Sequence, residues 1–232
     1  MAPEHPMVRL VGVSTRFTKG KETISIFDHL DLTIPRGDFV AVMGPSGSGK
    51  TTLLNLLGGI DRADAGEIVI ADRRIDGLSE GDLAAWRAAN VGFIFQFYNL
   101  MPMLSAAQNV ELPLLLTRLK KKERAERVKT ALSVVSLADR VKHHPREMSG
   151  GQQQRVAIAR AIVSDPNMLL CDEPTGDLDR SSADEILTIL QVLNKDLGKT
   201  IVMVTHDPAA ARYAKRTLHL DKGRFVEREL AA

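Results

Sequence analysis

Phe39-Val40-Ala41-Val42-Met43-Gly44-Pro45-Ser46-Gly47-Ser48-Gly49-Lys50-Thr51-Thr52-Leu53-Leu54-Asn55-Leu56-Leu57 decides how this chain is read. Its apolar run predicts a buried strand, its glycines a turn, and its leucines the start of a helix. In that context the spacing G-x-x-x-x-G-K-[ST] at Gly44, Gly49, Lys50 and Thr51 becomes a phosphate site rather than a string match. Gly44, Gly47 and Gly49 let backbone N–H groups crowd an anion without Cβ interference, and Pro45, Ser46 and Ser48 complete the loop. The helix N-terminus adds partial positive charge, Lys50 adds a full one, and the Thr51 hydroxyl, followed by Thr52, offers a ligand for Mg²⁺. The stretch predicts a bound nucleoside triphosphate.

The bulk of the chain narrows the setting. It has 232 residues, with 31 Lys and Arg against 29 Asp and Glu spread along it, so the basic stripe of a nucleic-acid binder is not expected. The most basic stretch, Lys120-Lys121-Lys122-Glu123-Arg124-Ala125-Glu126-Arg127, reads as a solvated helix face with Lys122–Glu126 and Glu123–Arg127 pairs, or as a surface for anionic headgroups. Cys171 is the single cysteine, which excludes an intrachain disulfide, and its apolar neighbours predict a packed thiol. Residues 1–6 carry no signal-peptide core, and no apolar run is long enough to cross a bilayer. The expectation is a cytoplasmic protein without direct membrane insertion, whose membrane work would pass through another polypeptide.

Residues 8–37 read as short strands and a turn ending at Pro35-Arg36-Gly37, with Phe17 among them as a purine-stacking or a core aromatic. Residues 66–72 read as a strand, and 79–89 as a helix capped by Ser79 with Leu83, Trp86 and Ala89 on one face. Val91–Phe95 reads as a buried strand ending at Gln96. From Phe97 the texture changes to loops and helices, with helical spacing over 121–135 and over 151–164, where Val156, Ala159, Ile162 and Val163 share a side. Asn167–Cys171 is a further apolar run, closed by Asp172-Glu173. A helix over 180–197 follows, with Ile186, Ile189, Leu190, Leu193 and Leu197 on one face and Gly198 as its stop. A strand over 200–205 ends at His206, and short segments at 216–220 and 224–227 complete the chain. Apolar strands alternating with helices predict an α/β fold around a mostly parallel sheet covered on both faces. Residues 97–164 are read as a helical lobe inserted into one domain over 1–232, whose core is 1–96 and 165–232.

The polar residues with chemistry to offer recur at strand ends: the loop after Met43, Gln96, Asp172-Glu173 and His206. That edge of an open parallel sheet is where ligands bind. Asp172 can hold Mg²⁺ alongside Thr51, Gln96 can ligate metal or water, and Glu173 can deprotonate the attacking water. His206 can contact the γ-phosphate or orient that water. A second turn, Ser149-Gly150-Gly151-Gln152, precedes a helix far along the chain from Lys50 and offers another set of N–H groups to phosphate, or is an ordinary cap.

This set resembles the nucleotide-binding subunit of an ABC transporter over nearly the whole chain. The resemblance implies a P-loop NTPase core with an N-terminal antiparallel β subdomain and an inserted helical subdomain. It makes Gly44–Thr52 the Walker A loop, Gln96 the Q-loop and Ser149–Gln152 the signature motif. Met168–Asp172 is then Walker B with catalytic Glu173, Gly176–Asp179 the D-loop, and His206 the switch histidine. Phe17 stands where the family usually stacks a tyrosine on adenine, and Met148 replaces the usual leucine before the signature. The cofactors implied are ATP and Mg²⁺; the partners are a second copy bound head to tail and a membrane-spanning permease subunit. The protein would then sit at the inner face of the cell membrane. Phe95–Ser105, Asn109–Leu114 and Pro174–Asp179 resemble the lipoprotein-releasing (LolD-like) and macrolide-exporter (MacB-like) branch. The other reading is a non-transporting relative that signals mechanically through a membrane partner, as in cell division. Phe97, Tyr98, Leu100, Met101, Met103 and Leu104 crowd large apolar groups into a loop around Pro102, either as core or as a surface for a partner helix.

Overall fold

The protein, a computed structural model, is described over residues 5–19 and 22–226. Its strands are β1 (Val8–Lys19), β2 (Glu22–Ile34), β3 (Phe39–Met43), β4 (Ala65–Ile70), β5 (Arg73–Arg74), β6 (Val91–Phe95), β7 (Met168–Asp172), β8 (Thr200–Val204), β9 (Arg216–Asp221) and β10 (Arg224–Val226). Its α-helices are α1 (Lys50–Leu57), α2 (Glu80–Asn90), α3 (Ala106–Glu111), α4 (Lys121–Val134), α5 (Gly150–Ile162), α6 (Arg180–Lys195) and α7 (Pro208–Ala211).

The strands form two sheets. One is antiparallel, ordered β2-β1-β4-β5; the other is ordered β10-β9-β3-β8-β7-β6 and is parallel except for its β9–β10 edge. The parallel strands read as unbroken apolar runs because each faces a core on both sides. The pleat sorts their side chains: Phe39, Ala41, Leu169, Cys171, Ile201 and Met203 point to the core shared with α3–α6. Val40, Val42, Met168, Leu170, Val202 and Val204 point to a second core, shared with α1, α2 and the antiparallel sheet. Helices α3–α5 therefore pack on the same apolar cluster as β3, β7 and β8.

Several expectations change at the level of elements. The N-terminal strands are not short: β1 and β2 run 12 and 13 residues, with register shifts after Leu10, Val13 and Thr15 that break the alternation a sequence pattern relies on. The segment expected over 224–227 is seen as Arg224–Val226; residues 1–4 and 227 lie outside the described part of the chain. Ser79 caps α2, accepting from the Asp82 N–H at 3.2 Å, and Leu83 and Trp86 are buried, but Ala89 is exposed. Helix α6 stops at Lys195, so Leu197 is exposed rather than on the apolar face. Neither Lys122–Glu126 nor Glu123–Arg127 forms an ion pair; the Glu123 carboxylate instead accepts from the Lys120 N–H at 2.6 Å, and Arg124 reaches Glu111 at 2.8 Å. Helix ends take such carboxylates readily because their N–H groups lack intrahelical partners.

Candidate active site

β3 lies between β9 and β8 in the parallel sheet, and the loop Gly44–Gly49 carries the chain from its end into α1. Gly47 and Gly49 have φ of 78° and 103°, left-handed backbone that L side chains rarely adopt. A Cβ on Gly44 would collide with the Leu220 carbonyl of β9, so the loop also needs glycine for close approach. Lys50 folds back over the loop, its Nζ donating to the Gly44 and Pro45 carbonyls at 2.8 and 2.9 Å. Ser48 Oγ is buried and makes no hydrogen bond. A cradle of backbone N–H groups with an ammonium across its mouth is chemistry for a polyphosphate.

Sheet register explains why distant residues meet. Phe95 pairs with Asp172, Asp172 with Val204, and Val204 with Val42. Each chain leaves the sheet from one rung, so Gln96, Glu173, His206 and the phosphate loop emerge along one edge. They line one cleft of about 540 Å³ with Lys50, Thr51, Thr52 and Asp172; Ile26 and Val204 complete it. Burial and the adjacent Glu173 carboxylate push the Asp172 pKa up, against a hydrogen bond from Thr51 and the Lys50 charge. A carboxylate penalised in this way gains from a divalent cation. With the Thr51 hydroxyl and the Gln96 amide beside it, the cleft offers the hard oxygen donors that Mg²⁺ takes.

Glu173 sits at φ 48°, left-handed for a non-glycine residue. Such a conformation costs roughly 1–3 kcal/mol and persists where the surroundings enforce it. Here the Glu173 N–H donates to Val204 O at 3.0 Å, and its carbonyl accepts from Gly176 at 3.0 Å. The kink turns the Glu173 carboxylate to His206, whose Nδ1 lies 2.9 Å away. His206 itself is largely exposed, while Glu173 is mostly buried.

The remaining sequence candidates stand outside this cleft. Phe17 is 67% exposed on β1, which overturns the core alternative for that residue. Ser149 caps α5 in a reciprocal box: its Oγ accepts from Gln152 N at 3.3 Å and Gln152 Oε1 accepts from Ser149 N at 3.1 Å. Gly150 and Gly151 lie against Tyr98 and Ser182, where a Cβ would approach the Tyr98 Oη at 2.8 Å and the Ser182 Cβ at 3.0 Å. Asp179 caps α6, accepting from Ser182 N at 3.0 Å and Ser182 Oγ at 2.8 Å, and these bonds hold its pKa low.

Three polar residues to which the sequence assigns no structural role hold the loops in shape. Buried Asn109 receives the Met101 N–H and donates to the Met101, Leu104 and Ser105 carbonyls, fixing the turn at 101–105. Arg160 donates to the Asn99 and Tyr98 carbonyls at 2.6 and 2.7 Å, across a bend where both residues have positive φ. Gln154, wholly buried on α5, donates to Pro174 O at 2.5 Å and Phe95 O at 3.2 Å. The only trace of these roles in the sequence is a polar residue at a helical spacing that is otherwise apolar, as with Gln154 beside Ala157, Ile158 and Ala161.

The sequence profile of the ABC transporter family matches residues 27–176, from β2 past the Glu173 loop. The chain belongs to that family. As an ABC ATPase it is 46% identical over 95% of its length to the uncharacterized ABC transporter ATP-binding protein YvrO of Bacillus subtilis, covering 96% of that protein. It is 42% identical to the lipoprotein-releasing system ATP-binding protein LolD of Chromohalobacter salexigens, over 95% of this chain and 93% of that one. It matches the macrolide export ATP-binding/permease protein MacB 1/2 of Paracoccus denitrificans at 46%, over 95% of this chain but only 33% of that much longer protein. These relatives bear out the LolD- and MacB-like branch. Among solved structures, a dimeric post-hydrolysis state of the ATP-binding cassette MJ0796, bound to ADP and Pi, aligns with a TM-score of 0.87 at 40% identity. That alignment covers 96% of this chain and 98% of the cassette, and bears out the expected fold.

Proposed function

We propose that two copies of this ABC ATPase associate head to tail, each ATP lying between the phosphate loop of one copy and the Ser149–Gln152 turn of the other, and that their closing and opening drives a membrane permease. The observation that carries this reading is the division of the phosphate-binding groups. Gly44–Thr52, Gln96, Asp172, Glu173 and His206 share one cleft, while the Ser149 turn, the same kind of helix terminus, lies outside it with Ser149 exposed. The dimeric form of the MJ0796 relative supports it.

In this site Lys50 and the loop N–H groups hold the β- and γ-phosphates. Thr51, Asp172 and Gln96 would hold Mg²⁺, which neutralises charge on those phosphates. Glu173 takes a proton from the water that attacks the γ-phosphorus, and the bond to the ADP oxygen breaks. His206 fixes the Glu173 carboxylate through the contact at 2.9 Å. Phe17 stacks on the adenine, and Asp179 faces the dimer axis beside the partner's nucleotide. Near-complete switching between open and closed forms requires ATP to favour the closed dimer by about 5 kcal/mol.

Residues 97–164 act as the lobe that engages the permease at the inner face of the membrane. Phe97, Met101, Met103, Leu115 and Leu116 are exposed there, Met103 at 87% and Leu116 at 83%. A groove of about 490 Å³ beside them is lined by Ala84, Ala88, Phe93, Phe95 and Pro113, with Arg87 and Arg160 as its charged groups. Apolar walls with cations and no acid suit a short permease helix bearing a carboxylate. Relatives named for lipoprotein release and macrolide export support a cargo handled beyond the membrane. The test is reconstitution with the permease: ATPase activity should rise faster than linearly with subunit concentration and be stimulated by the permease. Phe97→Asp and Met103→Asp should remove the stimulation and leave the basal rate within about twofold, as exposed substitutions do. A rate linear in subunit concentration, or full stimulation in both variants, overturns the reading.

A further inference from the structure

We infer that Gln154 is a positioning residue that ties the helix serving the partner's nucleotide to the two loops serving the chain's own. The inference rests on the head-to-tail site proposed above. Gln154 lies on the second turn of α5, whose first residues form the Ser149–Gln152 turn. Its side chain is fully buried, and its one amide nitrogen donates to two carbonyls: Phe95 O, the last group of β6 before Gln96, and Pro174 O, directly after Glu173. Those two carbonyls belong to the loops that supply the metal-ligating amide and the general base.

The surroundings make this a coupling rather than a stray contact. Gly176, whose N–H holds the Glu173 carbonyl at 3.0 Å, packs on the Gln96 amide, where a Cβ would come within 2.9 Å of Nε2. The two loops thus touch each other as well as Gln154. At the other end, Gly150 abuts Tyr98 and Gly151 abuts Ser182, so α5 cannot shift along its axis without meeting the segment after Gln96 or the start of α6. The Gln154 Oε1 is buried without a donor. A glutamine kept only to satisfy a core would pair both ends of its amide. This one is spent on its nitrogen, at the point where a displacement of α5 by the partner's phosphates reaches Glu173.

The test uses the full chain. Gln154→Met keeps the length and volume and removes the donor. The expected result is a fall in kcat of about tenfold or more, the equivalent of losing hydrogen bonds worth about 1.4 kcal/mol, with the ATP concentration for half-maximal rate and the nucleotide affinity of the monomer moving less than about twofold. Gln154→Glu supplies a pH profile. Burial raises the carboxyl pKa, so the protonated acid donates to Pro174 O at low pH and the ionised form cannot. Its activity should fall with rising pH in a titration that the wild type lacks. Wild-type kcat in a folded Gln154→Met, or the absence of that titration in a folded Gln154→Glu, overturns the inference. Failure of both variants to fold assigns Gln154 to the fold alone and overturns it equally. If the wild type itself hydrolyses ATP as an independent monomer, the head-to-tail reading fails instead, which keeps the two outcomes distinct.

Discussion

The turn before α1 and the turn before α5 both aim backbone N–H groups from a helix N-terminus, but only the first is finished within the chain. Before α1, left-handed Gly47 and Gly49 wrap the loop and Lys50 closes over it, with Asp172, Glu173 and His206 facing in. Before α5 the backbone carries no left-handed glycine, the cap is an ordinary serine–glutamine box, and none of Ser149–Gln152 lines the cleft of Lys50, Asp172 and Glu173. The first turn can bind a polyphosphate alone. The second lacks these groups, which suits the role proposed for it of adding donors to a phosphate held by a neighbouring copy. The contrast also separates strain from simplicity, since Glu173 opposite the first turn is held left-handed while Ser149 rests in extended backbone.

The hardest push on the first turn's side is Glu173→Gln. It keeps the shape and the His206 contact but removes the carboxylate proposed as the base, so turnover should fall by roughly 10²–10⁴ while ATP still binds and the closed dimer accumulates. Single-turnover hydrolysis and gel filtration with ATP would read this. A near-native rate would remove Glu173 from its assigned role.

How much of this was legible beforehand depends on what each element asks of its sequence. β3, β7 and β8 were plain because strands buried on both faces leave an unbroken apolar run, and the glycine loop because its backbone admits little else. The cleft followed, since residues just past strands in register must share an edge. The N-terminal hairpin is longer than its sequence pattern suggests because its register shifts scramble the period of two. Helix α5 was expected to show one apolar side, yet Ala157, Ile158 and Ala161 are buried as well as Val156 and Ala159, since it lies between other helices. The loop at 97–104 split: Leu100 packs on the core while Phe97, Met101 and Met103 stay exposed, a division set by Arg160 and Asn109 through backbone carbonyls. Hydrogen bonds to carbonyls leave no mark on residue type at the receiving end, so no sequence pattern could have reported them.

Ser149→Arg strikes the second turn alone. A bulky side chain in place of the hydroxyl should hold the turn off the partner's phosphate and weaken the dimer by about a hundredfold, the equivalent of about 2.8 kcal/mol. Loss of the cap should lower monomer stability by about 1 kcal/mol, and nucleotide affinity of the monomer should not move. Light scattering in a Glu173→Gln background checks the dimer; normal closure would mean that the turn serves no partner.

Lys50→Ala is the converse, a change that the monomer itself must feel. Removing a charged donor from the β- and γ-phosphates should weaken nucleotide binding by about ten- to a hundredfold, the range of 1.5–3 kcal/mol for charge-assisted bonds. Calorimetric titration of the monomer would show it. Unchanged affinity would make the two turns alike and dissolve the contrast between them.

The smallest effects separate the two turns by the reason each keeps its glycines. Nothing lies within 4 Å of a Cβ on Gly47, yet its φ of 78° is costly for alanine, so Gly47→Ala should destabilise by about 1 kcal/mol in any background. Gly150 is the opposite case: it is helical, where alanine is favoured by up to about 1 kcal/mol, but its Cβ would press on the Tyr98 Oη at 2.8 Å and on Leu178. In the wild type that pressure should cancel the helical gain or outweigh it. Tyr98→Phe removes the oxygen, and in that background Gly150→Ala should become stabilising. Chemical denaturation of the four proteins gives the coupling directly, expected at about 0.5–1 kcal/mol for residues in contact. If Gly150→Ala costs the same with and without the hydroxyl, the signature turn does not rest on Tyr98. The mechanical link from the second turn to the segment after Gln96 would then be lost.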